Sequence, residues 1–192
     1  MLNRERAIHV FNNNQIIEKN GIKIQELPFI NKINLRIDTN NKVQLTSFCN
    51  ILNIILPTKS NTFAINEKIK VIWLGPNEWL IVSEKNNDLY IKLKNKMGDK
   101  EASVTDVSEN RTIIRISGIK IFTLLSKFLV LDLEKNLSSE SSCAQTFFIK
   151  VPLLLVRNNN NDEIPEIDIF VNRSHANYIY NLIIDGTKNL DF

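Results

Sequence analysis

The chain has 192 residues, of which 43% are hydrophobic and 23% are charged, and its formal net charge is +3. These are ordinary values for a globular protein, and the length suits one large domain or two small half-domains. Lysine and arginine are spread along the chain, without the concentrated basic stripe that nucleic-acid binding requires. No apolar run approaches the ~18 residues of a membrane span. The composition therefore excludes a nucleic-acid-binding or membrane-spanning protein.

The cysteines and the first residues indicate a protein of the cytoplasm. Cys49 and Cys143 lie far apart in apolar sequence, whereas a disulfide framework or a zinc site needs more cysteines at closer spacing. The opening residues, MLNRERAIHVFNNN, contain no apolar core of a signal peptide. Because residues 1–25 are polar and weakly periodic, we predict an N-terminal arm that is ordered mainly by contact with a partner.

The first part of the globular region is predicted to form a strand, a helix, a hairpin and a second helix. Lys32–Ile37 alternates apolar and polar side chains, as a half-buried strand does. One helix face is then traced by four apolar residues: Leu45, Phe48, Leu52 and Ile55. Lys68–Val82 is predicted to be a hairpin around the turn Gly75–Glu78. Asp88–Met97 has the apolar face of an amphipathic helix.

The only two tryptophans, Trp73 and Trp79, flank the turn of this hairpin. Aromatic residues this close usually pack across the strands or into the core, and the alternative is an exposed anchor in an interface. Trp79 leads into the apolar strand Leu80–Val82, so we expect it to be largely buried. Both possibilities remain open for Trp73.

The second part of the chain begins with VTDVSENRTIIRISG, Val104–Gly118, which predicts two short strands of one hairpin. The turn between them is Ser108–Asn110, whose residue types suit turn geometries. Further elements are predicted by apolar periodicity: a helix near 121–129, strands at Ala144–Lys150, Val151–Arg157 and Glu166–Val171, and a last helix near 174–183.

A short internal repeat indicates two related halves. Leu80–Leu93 and Ile169–Leu182 both read as a strand, a polar break and a helix, at a constant offset. We therefore predict an α+β fold with a single globular domain at 26–192. Its two halves are placed at about 26–100 and 101–192, each a small sheet backed by helices.

Side chains with the spacing of a catalytic or metal site are missing from the sequence. His9 and His175 have no partners at metal or triad spacing, and Cys143 has no nearby histidine. Five glycines form no phosphate loop. Asp106 could act as a base, but an Asp that enters a turn more often accepts hydrogen bonds from main-chain amides. Three arginines could contact an anionic ligand or a partner, or simply be exposed: Arg111, Arg115 and Arg173.

Several stretches together resemble the gamma subunit of heterotetrameric sarcosine oxidase. The most specific are WLGPNEWLIV at Trp73–Val82 and the Val104–Gly118 stretch quoted above. Weaker ones follow the same order: Leu56-Pro57 with Asn61, Leu131-Asp132-Leu133, Ser142–Thr146 and Val171–Ile183. The resemblance extends from Leu56 to the last helix, and it fades in the residues that precede Leu56.

That family belongs to a wider group that includes the aminomethyltransferase of glycine cleavage, the T-protein. Asp106 to Gly118 is similar to the opening of the T-protein folate domain. The resemblance implies two ferredoxin-like α/β halves, related to that folate-binding domain. It also implies that the acidic folate-site motif of the T-protein falls at Val151–Arg157, VPLLLVR, which contains no carboxylate. The lack of a carboxylate there is expected of a subunit that keeps the fold but has no active site.

The function that the resemblance implies is a non-catalytic gamma subunit that packs on the large alpha subunit of a four-chain flavoenzyme. That enzyme oxidatively demethylates sarcosine to glycine and passes the one-carbon unit to tetrahydrofolate. FAD, FMN, NAD and tetrahydrofolate are implied for the whole complex and none for this chain, with the alpha, beta and delta subunits as partners. The alternatives are the corresponding subunit of N-methylglutamate dehydrogenase or a free-standing folate-binding one-carbon protein.

Four residues are predicted to line the contact with a partner: Trp73, Asn77, Arg111 and Arg173. The first two belong to a hairpin whose turn projects from its sheet, and the two arginines follow turns or strand ends. Side chains at such places reach outward, and aromatic and arginine residues are enriched at the centre of interfaces. The alternative is that all four pack or are solvated within this chain.

Overall fold

A computed structural model describes residues 5–8, 16–67, 69–84, 87–97, 102–138, 142–159, 163–188 and 190. Contacts divide the chain into two compact units, each of which is described by itself. The central unit is Ile30–Ser108, and the terminal unit combines the described residues of Met1–Phe29 and Glu109–Phe192. No helix in the described part of the chain is long and apolar enough to cross a membrane.

Strands outnumber helices in the described part of the chain. The first elements are β1 (Ile17–Lys19), β2 (Ile22–Glu26), β3 (Asn31–Ile37), α1 (Lys42–Leu52), β4 (Phe63–Ile65), β5 (Ile69–Gly75), β6 (Glu78–Ser83) and α2 (Asn87–Lys96). The others are β7 (Ala102–Asp106), β8 (Arg111–Ser117), α3 (Ile121–Ser126), α4 (Leu133–Asn136), β9 (Cys143–Phe148), β10 (Val151–Arg157), β11 (Glu166–Asn172) and α5 (Ala176–Thr187).

The central unit contains a five-stranded antiparallel sheet in the order β4-β5-β6-β3-β7. The alternation predicted for β3 is confirmed, because Ile33, Leu35 and Ile37 are all buried. They share a core cluster with Phe48 of α1 and Leu93 of α2. The burial of this cluster is what holds the two helices on the sheet.

Helix α1 is shorter than the sequence indicated. Asn41 caps its first turn by accepting a hydrogen bond from the Gln44 main-chain nitrogen at 3.0 Å. The helix ends at Leu52 because Asn53 adopts the left-handed conformation, with φ of 52°. Ile55 therefore lies beyond the helix and is 84% exposed, so its assignment to the buried helix face was wrong.

The predicted hairpin is formed by β5 and β6, which pair Trp73 with Trp79 across the turn. A bulge between Trp73 and Gly75 adjusts the register there. Trp79 is 0% exposed, and its indole Nε1 donates a hydrogen bond to the Pro57 carbonyl oxygen at 2.8 Å. The predicted burial of Trp79 is confirmed.

The terminal unit contains a six-stranded antiparallel sheet in the order β1-β2-β8-β11-β10-β9. One core cluster joins this sheet to the buried faces of α3 and α5. The buried face predicted for the last helix is confirmed for Ala176, Ile179, Tyr180 and Ile183. Two sheets, each with its own helices, match the predicted α+β class.

The division between the halves lies elsewhere than predicted. Strand β7 pairs with β3, so residues 102–108 belong to the central unit, and the boundary falls after Ser108 rather than near residue 100. For the same reason Val104–Gly118 is not one hairpin: β7 lies in the central sheet, and β8 pairs with β2 and β11 in the terminal sheet. The boundary between the two units therefore depends on which distant strands β7 and β8 pair with.

The predicted N-terminal arm is also corrected, as far as residues 1–25 are described. Ile17–Lys19 and Ile22–Glu26 are strands of the terminal sheet, and β2 pairs with β8. Ile22 and Ile24 are 0% exposed. These residues are held by strand pairing and burial within the chain itself, which removes the need for a partner to order them. Residues 1–4 and 9–15 lie outside the described part.

Candidate functional site

The Asp106–Ser108 segment, which carries part of the resemblance, forms a turn. The Oδ1 atom of Asp106 accepts hydrogen bonds from the Ser108 main-chain nitrogen at 2.9 Å and from its hydroxyl at 2.6 Å. The Ser108 hydroxyl oxygen in turn accepts a hydrogen bond from the Lys32 main-chain nitrogen at 2.9 Å. The prediction that Asp106 binds a main-chain amide is confirmed, and this carboxylate has a structural task.

Lys32 is a buried lysine in β3, and the alternating pattern of that strand does not predict its burial. Its Nζ donates hydrogen bonds to the carbonyl oxygens of Ile30 at 2.8 Å and Ser108 at 3.2 Å. Ile30 and Ser108 are the first and last residues of the central unit. Since the side chain is only 2% exposed, these carbonyls replace the water that the ammonium group loses. Lys32 therefore ties together the two ends of the central unit.

Glu26 is a second buried charged residue, at the end of β2. The residue is 1% exposed, and both carboxylate oxygens accept hydrogen bonds. Oε1 accepts from the Ala7 main-chain nitrogen at 3.0 Å and the Thr112 hydroxyl at 2.5 Å. Oε2 accepts from the Ile8 main-chain nitrogen at 3.0 Å. This carboxylate binds residues 18 and 19 positions earlier in the chain, a contact that no local pattern predicts.

Arg115 lies beside acidic residues of its own unit. On the neighbouring strand, Asp168 accepts hydrogen bonds from its Nε at 2.7 Å and its Nη2 at 3.0 Å. Glu166 lies 3.4 Å from the same Nε. The hydrogen bond to Asp168 raises the pKa of the Arg115 guanidinium, and the partial burial that opposes this is the smaller effect. Arg115 was a candidate for an anionic ligand, and these intramolecular partners replace that assignment.

The predicted interface residues of the central unit lie on the β5–β6 hairpin. Trp73 is half-buried and packs against the central core, and its main-chain nitrogen donates to the Thr62 carbonyl oxygen at 3.0 Å. Asn77 is exposed at the turn, and its carbonyl oxygen accepts from the Ile37 main-chain nitrogen at 3.1 Å. The hairpin therefore presents one exposed amide and one partly covered indole.

The other two predicted interface residues lie at one end of the β8–β11 pair. Arg111 pairs with Asn172, and Arg173 follows directly. Arg173 is half-buried, and its Nη2 donates to the Glu5 carbonyl oxygen at 2.7 Å. The structure thus gives Arg173 a contact within this chain and brings it close to Arg111 in the sheet. A role of either arginine in a partner contact stays a prediction.

The cysteine and histidine side chains in the described part of the chain do not form a nucleophilic or metal site. Cys143 is buried, and burial raises the pKa of its thiol to about 12, so the thiolate is scarce near neutral pH. His175 is exposed, with its Nδ1 3.3 Å from the Ser174 hydroxyl. His9 lies outside the described residues. Among those that are described, no His, Cys, Asp or Glu side chains cluster as metal ligands would.

Strand β10 occupies the place that the resemblance assigns to the folate-site motif. Leu153 and Leu155 pack in the terminal core. Arg157, 1% exposed, donates from Nη1 to the Leu137 carbonyl oxygen at 2.6 Å and from Nε to the Asn159 carbonyl oxygen at 2.9 Å. The strand supplies core side chains and a guanidinium that binds main-chain carbonyls. Its sequence, VPLLLVR, offers no acid that could bind a folate amine.

Comparison with protein families gives one match that covers most of the chain. The model of the sarcosine oxidase, gamma subunit family matches residues 36–189. The sarcosine oxidase subunit gamma of Corynebacterium sp. (strain U-96) is 31% identical over 87 residues, 45% of this chain and 42% of that protein. That of Arthrobacter sp. is 30% identical over 91 residues, 47% of this chain and 45% of that protein. The alignments thus span less than half the length of these curated relatives.

Solved structures extend the likeness of fold to the whole chain. A chain of heterotetrameric sarcosine oxidase from Corynebacterium sp. U-96, in complex with pyrrole 2-carboxylate, has a TM-score of 0.84 at 20% identity. That match covers 100% of this chain and 98% of the other. The glycine cleavage system aminomethyltransferase T from Bartonella henselae has a TM-score of 0.60 at 10% identity, covering 85% of this chain and 45% of the other. The expected relation to the T-protein fold is confirmed.

Proposed function

The chain belongs to the sarcosine oxidase gamma subunit family, and we propose that it is a non-catalytic subunit of a heterotetrameric sarcosine oxidase. The observation that carries the proposal is the family match over residues 36–189, which includes helices α1 to α5 and strands β4 to β11. A match of this extent concerns most of the folded region, from the end of β3 onwards, rather than one motif. The likeness of fold over the full length of the chain supports the same conclusion.

The complex that this proposal describes oxidatively demethylates sarcosine to glycine and passes the one-carbon unit to tetrahydrofolate. FAD, FMN, NAD and tetrahydrofolate belong to its larger subunits, and this chain packs on the alpha subunit, with beta and delta as further partners. We place the assembly in the cytoplasm. The non-catalytic role is supported by the contacts of three charged residues. Asp106, Asp168 and Arg157 form hydrogen bonds within this chain, where they stabilise turns and strands.

The first prediction is that the chain purified alone gives no sarcosine-dependent peroxide or formaldehyde and no flavin absorbance. Co-expressed with the alpha, beta and delta chains, it should co-purify with them as a complex that oxidises sarcosine. The measurement is affinity purification through a tag on this subunit, followed by absorbance spectra and peroxide and formaldehyde assays. The matched control is the same affinity step applied to cells that express the other three chains without this subunit, and it should retain none of them.

Each alternative function has a distinct result in that experiment. Turnover or bound flavin in the lone chain would contradict a non-catalytic subunit. Binding of tetrahydrofolate to the lone chain would favour a free-standing folate protein instead. A complex that oxidises N-methylglutamate and leaves sarcosine untouched would keep the role of a subunit and change the substrate of the enzyme.

The contact with the alpha subunit is proposed to include some of the four predicted residues: Trp73, Asn77, Arg111 and Arg173. Asn77 is the best placed to test this, because it is exposed and its hydrogen bond with Ile37 uses the main-chain carbonyl. A larger side chain there leaves that hydrogen bond intact. Obligate subunits commonly bury more than about 2,000 Å² in total, and a bulky charged group inside such a contact is costly.

The second prediction is therefore that Asn77→Arg lowers recovery of the alpha subunit in the pull-down by about tenfold, which corresponds to about 1.4 kcal/mol of binding free energy. Asn50→Arg is the matched control, since Asn50 is an exposed asparagine on helix α1. Circular dichroism and thermal melts of both variants establish that the chain itself is folded. Equal recovery with the two variants would place the turn outside the contact.

A further inference from the structure

Residues Glu5–Ile8 contact the terminal unit as a bound peptide contacts its receptor. The carboxylate of Glu26 accepts hydrogen bonds from two successive main-chain nitrogens, those of Ala7 and Ile8, both at 3.0 Å. At the other end of the segment, Arg173 donates to the Glu5 carbonyl oxygen at 2.7 Å. Three main-chain groups of four consecutive residues are thus recognised by side chains from two distant parts of the sequence.

An apolar contact accompanies these polar ones. The Ile8 side chain is 0% exposed and belongs to the core cluster of the terminal unit, which also contains Ile24 and Ile114. The Arg6 guanidinium donates to the main-chain carbonyl oxygen of Glu26. The segment therefore buries a branched side chain beside the carboxylate that holds its backbone. Main-chain hydrogen bonds together with a side-chain socket are the usual elements of peptide recognition.

The carboxylate of Glu26 depends on this occupant. Glu26 follows Ile22 and Ile24 at alternate positions of β2, so its side chain points to the same, buried side of the sheet. Among the described residues, Thr112 donates one hydrogen bond to this carboxylate and the segment donates two. Burying a carboxylate is costly unless donors surround it. The site accordingly fits a backbone that bends at Ala7 and Ile8, which turns two adjacent N–H groups towards one carboxylate.

We propose that Glu26, Thr112 and Arg173 form a peptide-docking site, which the chain fills with its own Glu5–Ile8 segment as an exchangeable ligand. The ligand class is a peptide that bends so that two successive main-chain N–H groups meet the carboxylate, with a branched apolar side chain at the second of them. Affinity resides in these contacts, so the peptide binds without being joined to β1. The inference does not rest on the partner subunits proposed above, although Arg173 is also one of the four residues predicted to contact them.

The test uses the full-length chain with Ala7→Pro, which removes the N–H group that donates to Glu26 Oε1. Release of the segment is followed by hydrogen exchange of the N-terminal peptic fragment. The probe is a fluorescein-labelled peptide with the sequence of residues 3–10, NRERAIHV. Its binding is measured by anisotropy against the wild-type chain, the Ala7→Pro chain and the Ala7→Pro/Glu26→Gln chain.

We expect the peptide to bind the Ala7→Pro chain at least about tenfold more tightly than the wild-type chain, because the wild-type site is occupied. It should also bind at least about tenfold more tightly than to the double variant, since hydrogen bonds to a charged group contribute more than that factor. The same peptide with proline in place of Ala7 should not bind. Glu134→Gln replaces Glu26→Gln in a control double variant, because Glu134 is an exposed glutamate of the same unit, and it should leave binding unchanged.

Several results would overturn the proposal. One is absence of peptide binding to the Ala7→Pro chain once hydrogen exchange shows that the segment is released; another is a segment that stays protected in that variant. If Ala7→Pro does not fold, the wild-type chain decides: the Ala7 and Ile8 amides must exchange at least about tenfold more slowly than in the free peptide. A wild-type dimer with protected amides would assign the site to a second copy's segment and contradict intramolecular docking.

Discussion

Replacing Trp79 with alanine is expected to lower the free energy of unfolding by about 3–5 kcal/mol, the range for large-to-small changes in a core. The indole is 0% exposed and belongs to the core cluster of the central unit. Its removal leaves a cavity between β6 and the helices that pack on the sheet. It also removes the donor of the hydrogen bond to the Pro57 carbonyl oxygen. Urea denaturation followed by far-UV circular dichroism measures the change.

Two variants provide comparisons. Trp79→Phe keeps an aromatic ring in the core but removes the pyrrole part of the indole together with the N–H that donates to Pro57, so it should cost less than Trp79→Ala. Trp73→Ala truncates the half-buried tryptophan of the same hairpin and should cost less than Trp79→Ala. A change below about 1 kcal/mol for Trp79→Ala would be in the range of surface sites and would contradict the burial.

Local patterns predicted the elements of this chain well. The alternation in β3 and the turn between β5 and β6 depend on residues a few positions apart, and both are present as predicted. The stretch Val104–Gly118 shows where local information ends. Its two strands exist, yet β7 pairs with β3 and β8 pairs with β2 and β11. The choice of a strand partner depends on distant residues, so the sequence of the stretch alone does not predict which strands pair.

The prediction of an N-terminal arm was wrong for residues 17–25, although the sequence there carries the signal of a strand. Ile22, Ile24 and Glu26 occupy alternate positions, which is the period of a strand with one buried face. The charge of Glu26 and the polar residues before it concealed this short pattern. The donors that make burial of Glu26 tolerable come from Ala7, Ile8 and Thr112. A single sequence does not show that these groups meet.

The charged residues Lys32 and Arg157 escaped prediction for a related reason. A lysine or arginine in a strand pattern is expected to be solvated, because its side chain is rarely buried without a partner. In this chain the partners are main-chain carbonyl oxygens, at Ile30 and Ser108 for Lys32 and at Leu137 and Asn159 for Arg157. Every residue carries such a carbonyl, so residue types give no hint of which ones accept.

The motifs that carried the resemblance perform structural tasks in this chain. Within WLGPNEWLIV, Trp79 donates to Pro57 of another resembling block. Within DVSENR, Asp106 holds the turn at Ser108, and the Asn110 carbonyl oxygen accepts from the Arg173 main-chain nitrogen at 3.1 Å. A family signature made of such contacts identifies a fold. This agrees with a subunit whose contribution to an enzyme is a folded surface.

The second large effect is expected at Gly118, which follows β8. Its φ of 146° is a backbone conformation that side chains rarely adopt, and a Cβ atom there would lie 2.4 Å from the Gly21 carbonyl oxygen. It would also lie 3.2 Å from the Ile22 Cα atom. Both are main-chain atoms at the turn between β1 and β2, and β2 pairs with β8. The backbone has to move, and strand pairing is lost with it.

Gly118→Ala should therefore lower the free energy of unfolding by roughly 3 kcal/mol or more, since backbone strain and a main-chain clash act together. Gly21→Ala is the matched control, because Gly21 also has a positive φ, 72°, but no atom lies within 4 Å of its would-be Cβ. Gly21→Ala should lower the free energy of unfolding by about 1 kcal/mol, the cost of the backbone conformation without a clash. Urea denaturation of both variants measures the difference. Equal losses of stability would mean that β8 and the β1–β2 turn do not approach as closely as described, whereas a larger loss for Gly118→Ala assigns the excess to that approach.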